Sequence, residues 1–181
     1  FKVDEIATWR ADRLADGTRV TEAPGIQVLF ADWTQEPTPA ARDALVRTLI
    51  SLRSDTTYRE VLLVDTRGDT LLSATGRPTS PAPSVLDLRT AFNTHAPVLT
   101  DLHTYPDNSG AYLDVYAPIY VPSLDGIDTP RAAGAIVMRA DARDFLYPLI
   151  RTWPSPTQTA ETLLVRRDGS DVLFLNEVRH V

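Results

Sequence analysis

Four side chains able to hold a polar partner stand at alternate positions of one segment: Tyr112, Asp114, Tyr116 and Tyr120. Successive side chains of a strand point to opposite faces, so this spacing gathers the four on one face. Leu113, Val115, Ala117 and Ile119 take the other. The segment before it divides alike, with Asp101, His103 and Tyr105 alternating, and Pro106-Asp-Asn-Ser109 between the two is turn chemistry. A four-residue hairpin loop there sets Tyr105 against Gly110, His103 against Tyr112 and Asp101 against Asp114. Two carboxylates directly opposite repel, and a cation between them reverses the sign. Tyrosine rings beside the pair add cation–π attraction, worth about 0.5–2 kcal/mol. The chemistry this points to is capture of a small polar molecule, cationic or amine-bearing. Its candidate contacts are Asp101, His103, Tyr105, Tyr112, Asp114 and Tyr116, with Arg89 and Arg139 as partners for an anionic group. The rival reading is that this face meets solvent, and a slipped register would separate the carboxylates.

These strands need a scaffold, and the rest of the pattern supplies one. Residues 2 to 16 read as a helix, with Val3, Ile6, Trp9, Arg10 and Leu14 near helical spacing. A second helix follows Pro24. Thr38-Pro39 gives an N-cap and a first-turn proline to a third, whose stripe is Ala41, Leu45, Thr48, Leu49 and Leu52. The period then switches. Glu60 to Asp65 reads as a buried strand, Arg67-Gly68-Asp69 as a tight turn and Thr70 to Ala74 as the returning strand. Ser84 caps a helix running to about His95 with Val85, Leu88 and Phe92 inward. Ala132 to Arg139 is a fifth strand, and Asp141 is expected to cap an amphipathic helix ending near Trp153-Pro154. Glu60-x-Leu-Leu-Val-x-x-x-Gly68 recurs as Glu161-x-Leu-Leu-Val-x-x-x-Gly169, 101 residues on, as a duplicated module would.

Composition narrows the function. A net charge of −6, with no run of Lys or Arg, argues against a nucleic-acid partner. The absence of cysteine removes thiolate nucleophiles, disulfides and Cys-ligated metals. No His-Glu-x-x-His, Gly-x-Ser-x-Gly, phosphate loop or dinucleotide fingerprint is present. Three histidines leave little general-base capacity outside carboxylates, so no enzymatic activity is expected. A metal on Asp101, His103 and Asp114 fits by ligand type but not by any motif spacing. No cofactor is expected either. The sequence starts at Phe1 and reads as a piece of a longer chain.

The ordered set Glu60 to Asp65 with Gly68, Tyr112 to Ile119, Ala133 to Met138, and Trp153-Pro154 before Glu161 to Val165 resembles the double-module Cache sensor domains of bacterial histidine kinases, diguanylate cyclases and chemoreceptors. The resemblance implies an α+β, PAS-like five-stranded antiparallel sheet flanked by helices, with a long N-terminal helix. It implies residues 1–55 as a helical region, 56–154 as a membrane-distal sensor module and 155–181 as the first hairpin of a truncated second module. By the same resemblance the domain would be periplasmic, held by flanking transmembrane helices. Its partner would be a small-molecule ligand, with a homodimer allowed through the N-terminal helix. Members that bind amino acids use an Arg and a Trp around the helix before the central strands, plus a Tyr and an Asp. Here the helix of 84–95 offers Arg89 but no Trp, which leaves the ligand open. The rivals are a protein-interaction module on the same face, an enzyme using Asp101 and Asp114 as an acid/base pair, and a cytoplasmic PAS-like cofactor domain.

Overall fold

Three helices open the chain because their apolar residues recur at helical spacing and the breaks between them carry proline. The computed structural model describes residues 2–53, 57–77, 83–104, 110–122, 130–151, 165–168 and 171–174. Helix α1 spans Lys2–Thr21, α2 Pro24–Gln35 and α3 Pro39–Arg53. Pro24 sits in the first turn of α2, and the Thr38 hydroxyl accepts the Ala41 N–H at 3.2 Å to cap α3. Helix α1 runs one turn beyond its expected end at residue 16. Its inward stripe is Ile6, Trp9, Arg13, Gly17 and Val20, whereas Val3 and Leu14 are exposed. The apolar residues of α1 alone misplaced that stripe, because Gly17 and Arg13 both pack inward. A Cβ on Gly17 would lie 2.6 Å from Pro97 Cβ and 2.8 Å from Val115 Cγ1. Only glycine lets α1 lie this close to the sheet.

The sheet has the order β2 (Thr70–Ser73), β1 (Glu60–Asp65), β6 (Arg131–Asp141), β5 (Ala111–Val121), then β3 (Val98–Leu99) with β4 (His103–Thr104). Every pairing is antiparallel. Both β3 and β4 pair with β5, so they are two pieces of one edge strand and the sheet is five strands wide. That matches the α+β, PAS-like expectation. One face carries Val61, Leu63, Val115, Ala117, Ile119, Ile136 and Met138, packed under Val20, Ile26, Phe30, Leu45 and Leu49 of α1 to α3. The opposite face is shared. Its middle, with Leu62, Val64, Tyr116, Ala135 and Val137, lies under Leu88 and Ala91 of α4 (Val85–Thr94). The end beyond it carries charged groups.

Two further expectations change. Asp141 does not cap a helix: strand β6 continues to it, a turn follows, and α5 (Leu146–Arg151) begins five residues later. The strand from 98 to 105 is interrupted, and Tyr105 and the loop to Ser109 lie outside the described residues. Of the repeated motif, Glu161 to Leu164 and Gly169 lie outside the described residues; β7 (Val165–Asp168) and β8 (Asp171–Phe174) pair as a two-stranded sheet. Strand β8 falls where the 101-residue offset from β2 puts it, but the register differs. Val64 pairs with Thr70, whereas Val165 pairs with Phe174. Among the described residues no helix is long and apolar enough to cross a membrane.

Candidate functional site

The charged end of the sheet is built by register. Asp114 of β5 pairs with Arg139 of β6, and Arg139 pairs in turn with Glu60 of β1. Direct neighbours across antiparallel strands share a face, so three ionisable side chains line up across three strands. Arg139 donates from Nε to Asp114 Oδ1 and from Nη2 to Asp114 Oδ2, both at 2.8 Å. Its Nη1 donates to Glu60 Oε2 at 3.4 Å. The Tyr112 ring lies 5.8 Å from the guanidinium carbon. Arg139, Asp114 and Glu60 are each only 1% exposed. Ions this deep are costly to desolvate, and the two-pronged bond to Asp114 is what offsets much of that cost.

His103 completes the rim, facing Tyr112 as expected, with Nε2 3.6 Å from Asp114 Oδ2. Asp101 does not face Asp114. Thr100 takes that place: its N–H donates to the Asp114 carbonyl and its hydroxyl accepts the Asp114 N–H, both at 2.9 Å. The extra residue between β3 and β4 shifts the register by one, and Asp101 turns outward to an exposed position. The facing carboxylate pair is therefore corrected to a carboxylate–guanidinium–carboxylate row, with Arg139 where a ligand cation was expected. The acid/base pair of Asp101 and Asp114 disappears for the same reason. Among the described residues no group of three His, Asp or Glu side chains is placed to hold a metal ion.

The other candidates separate. Tyr116 is buried on the same face, and its hydroxyl accepts the Ser84 N–H at 2.7 Å, tying the start of α4 to the sheet. Arg89 is on the exposed side of α4. Tyr105 lies outside the described residues. The structure thus brings together His103, Tyr112, Asp114 and Arg139, and not Asp101 or Arg89. Outside this set, His95 ends α4 in a left-handed conformation (φ 54°) and stacks on Tyr120 at 5.0 Å. Arg67 pairs with Asp65 and Asp69, so the Arg-Gly-Asp tripeptide is folded into its turn.

Sequence reasoning missed Glu60 and Asp141. An acid opening the otherwise apolar run Val-Leu-Leu-Val was the available signal for Glu60, but only the β1–β6 pairing gives it a partner. Asp141 faces Tyr112 across the ladder and is buried. Its carboxylate accepts from Arg143 Nε at 2.9 Å, Arg143 Nη2 at 2.6 Å and the Arg143 N–H at 2.9 Å, with Arg59 Nε 3.8 Å away. Burial alone would raise its pKa, but the Arg143 hydrogen bonds and the two arginine charges outweigh it and hold the carboxyl below the ordinary range. Gly110 (φ 145°) makes room beside it, since a Cβ there would meet Arg143 Nη2 at 3.0 Å.

The fold has counterparts among solved structures. The V. cholerae histidine kinase DctB sensor domain aligns with a TM-score of 0.53 at 13% identity, over 78% of this chain and 54% of that one. The ligand-binding domain of the Campylobacter jejuni chemoreceptor Tlp3, in complex with 4-methylisoleucine, aligns at 0.54 and 13% identity, over 84% and 57%. The sensory domain of the same receptor with isoleucine bound aligns at 0.50 and 15% identity, over 83% and 58%. The chain spans a little over half the length of each. At these identities the likeness is one of fold. No protein-family model matches the sequence, and no curated protein matches it.

Proposed function

We propose that this chain, which has the fold of the Cache-type sensor domains of bacterial histidine kinases and chemoreceptors, is the extracytoplasmic ligand-binding part of a membrane receptor. Its role is to bind a small polar molecule at the charged end of the sheet and to pass the event to α1. Residues 56–154 are its sensor module, and 155–181 begin a second one. The greater length of the solved counterparts supports that division.

The observation that carries the reading is the row Glu60–Arg139–Asp114, buried to 1% exposure on the α4 face of the sheet, beyond the apolar patch on which α4 packs. Two carboxylates share one guanidinium there. An acid on either side of one guanidinium gives this end of the face an acidic character that favours a cation nearby. The ligand class this supports is an amine-bearing molecule, its ammonium at the acidic end of this face, beside Asp114, Tyr112 and Asp141. Two of the solved counterparts, both of the chemoreceptor Tlp3, hold isoleucine and 4-methylisoleucine, molecules of that class, which adds support.

A thermal-shift screen tests this with three arms: amino acids, amines without a carboxylate, and carboxylates without an amine. A ligand that binds only the folded state raises the melting temperature as its concentration passes the dissociation constant. Amine-bearing compounds are expected to give the shifts, and Asp114→Asn to remove them. Shifts from carboxylates alone, or shifts that survive Asp114→Asn and Tyr112→Phe unchanged, overturn the assignment.

A further inference from the structure

The charged end of the sheet is joined to α1 by one short turn. Residues 142 to 145 follow Asp141 directly. Ala142 N–H donates to the Ala111 carbonyl at 2.8 Å, and Asp144 N–H to the Asp141 carbonyl at 3.1 Å. At the turn's far end the Phe145 ring stacks on Trp9 of α1, centroids 5.1 Å apart and planes within 10°. Ala142 and Leu146 pack in one cluster with Leu102, Ala111 and Leu113, against which Ile6 and Trp9 also lie. Further along α1, Arg13 lies over the rings of Trp9 and Tyr58 at 5.8 and 5.5 Å, and Tyr58 donates to Asp16 at 2.6 Å. The helix is thus gripped through Trp9 and Arg13 by groups at one end of the sheet.

Between the site and that grip stands Arg143. Its side chain is 49% exposed, yet its guanidinium closes over the buried Asp141 carboxylate, in the space that Gly110 leaves. A half-exposed arginine keeps the option of water for its head group, so letting go costs it little. Asp141 lacks that option. It is buried and needs a cation, whichever one supplies the charge.

We infer that Asp141 and Arg143 form a latch. A ligand cation and the Arg143 guanidinium compete for the same buried carboxylate, and release of Arg143 loosens the turn that holds Phe145 against Trp9. The inference rests on the proposed binding of an amine-bearing molecule at this end of the sheet, and adds how occupancy reaches α1. Because ligand and latch exclude one another, removing the latch strengthens binding: the competing state no longer takes its share of the population.

The test uses the domain with Trp33→Phe and Trp153→Phe, so that emission reports Trp9 alone. Methylammonium chloride is the probe, with sodium chloride at equal ionic strength as control. Methylammonium is expected to shift Trp9 emission, and Arg143→Gln to show much of that shift without any addition. Arg143→Gln is also expected to bind methylammonium several-fold more tightly by calorimetry, and Asp141→Asn to abolish both responses. An unchanged far-ultraviolet circular dichroism spectrum and cooperative thermal unfolding of Arg143→Gln guard against a folding artefact. Binding without any Trp9 change overturns the latch while leaving the receptor reading intact. Equal affinity in Arg143→Gln and the unaltered domain overturns the competition. Absence of methylammonium binding in every form, together with a failed amine screen, sinks the reading on which the latch rests.

Discussion

Arg139→Leu isolates what the buried row contributes. The arginine is 1% exposed and makes two 2.8 Å bonds to Asp114 and a longer one to Glu60. Removing one member of a buried ion pair costs about 3–5 kcal/mol, because the partner keeps its desolvation penalty without its compensation. Here two carboxylates lose their partner together, so the upper part of that range applies. Against a total of about 5–15 kcal/mol for an ordinary domain, this is a large fraction. For a chain of this size each kcal/mol moves the melting temperature by about 2–4 °C, which gives a fall of about 8–20 °C. Urea denaturation with an unchanged m-value would read the loss directly. A second variant separates stability from function. Glu60→Met, Asp114→Leu and Arg139→Met together replace the row by apolar groups, and such replacements are often neutral or stabilising. The triple variant is expected to recover most of the lost stability while losing all ligand response. A cost for Arg139→Leu below about 1 kcal/mol, the worth of a solvent-exposed pair, would refute the burial on which the reasoning stands.

Three other outcomes follow from the packing and the acids. A Cβ on Gly134 would overlap the Val64 carbonyl oxygen and sit 3.1 Å from the Phe30 ring, so Gly134→Ala should cost about 1–3 kcal/mol in urea denaturation. Gly25, in the first turn of α2 with nothing within 4 Å of its would-be Cβ, should instead gain about 0.4–1 kcal/mol on mutation to Ala. The Asp141 carboxyl is held below its ordinary value of about 3.9, so its stabilisation is fully present above that pH and is lost as pH falls through the lower folded-state value. Asp141→Asn should therefore flatten part of the acid limb of a stability–pH curve. An unchanged limb would mean that Arg143 does not hold the carboxylate in solution.

The sheet was legible in the sequence because a two-residue period survives even where partners are unknown. The odd-numbered residues from Leu113 to Ile119 fall on one packed face, and the even-numbered ones on the other, as the alternation requires. Pairing across His103 and Tyr112 was legible too, since the turn chemistry of Pro106 to Ser109 sets that expectation. The facing of Asp101 and Asp114 was not. A one-residue irregularity between Leu99 and His103 has no signature of its own, yet it replaces Asp101 by Thr100. Glu60 was invisible as a site residue for another reason. Strand β1 joins β6 across some seventy residues of chain, and nothing local at Glu60 names Arg139 as its neighbour. The turn at Asp141 misled because an acid followed by apolar residues at helical spacing is the common mark of a helix start. Here the carboxylate is used by Arg143 instead.

The arrangement also weighs on the reading of this face as a protein-docking surface. A docking protein reads what a surface presents, and the charges of Glu60, Asp114 and Arg139 are buried to 1% exposure, away from any protein surface. A domain needing only stability would fare as well or better with apolar residues at those three positions. The middle of the same face does this already, where Leu62, Val64 and Val137 meet Leu88 and Ala91. Within one face of one sheet, then, an apolar solution stands beside an ionic one. The ionic one lies at the end that the turn to α1 leaves from, and the Phe145 stack on Trp9 gives a change there a short path into that helix. If the triple apolar variant kept its response to amines, the ionic end would be structural after all, and the route through Arg143 would have no input.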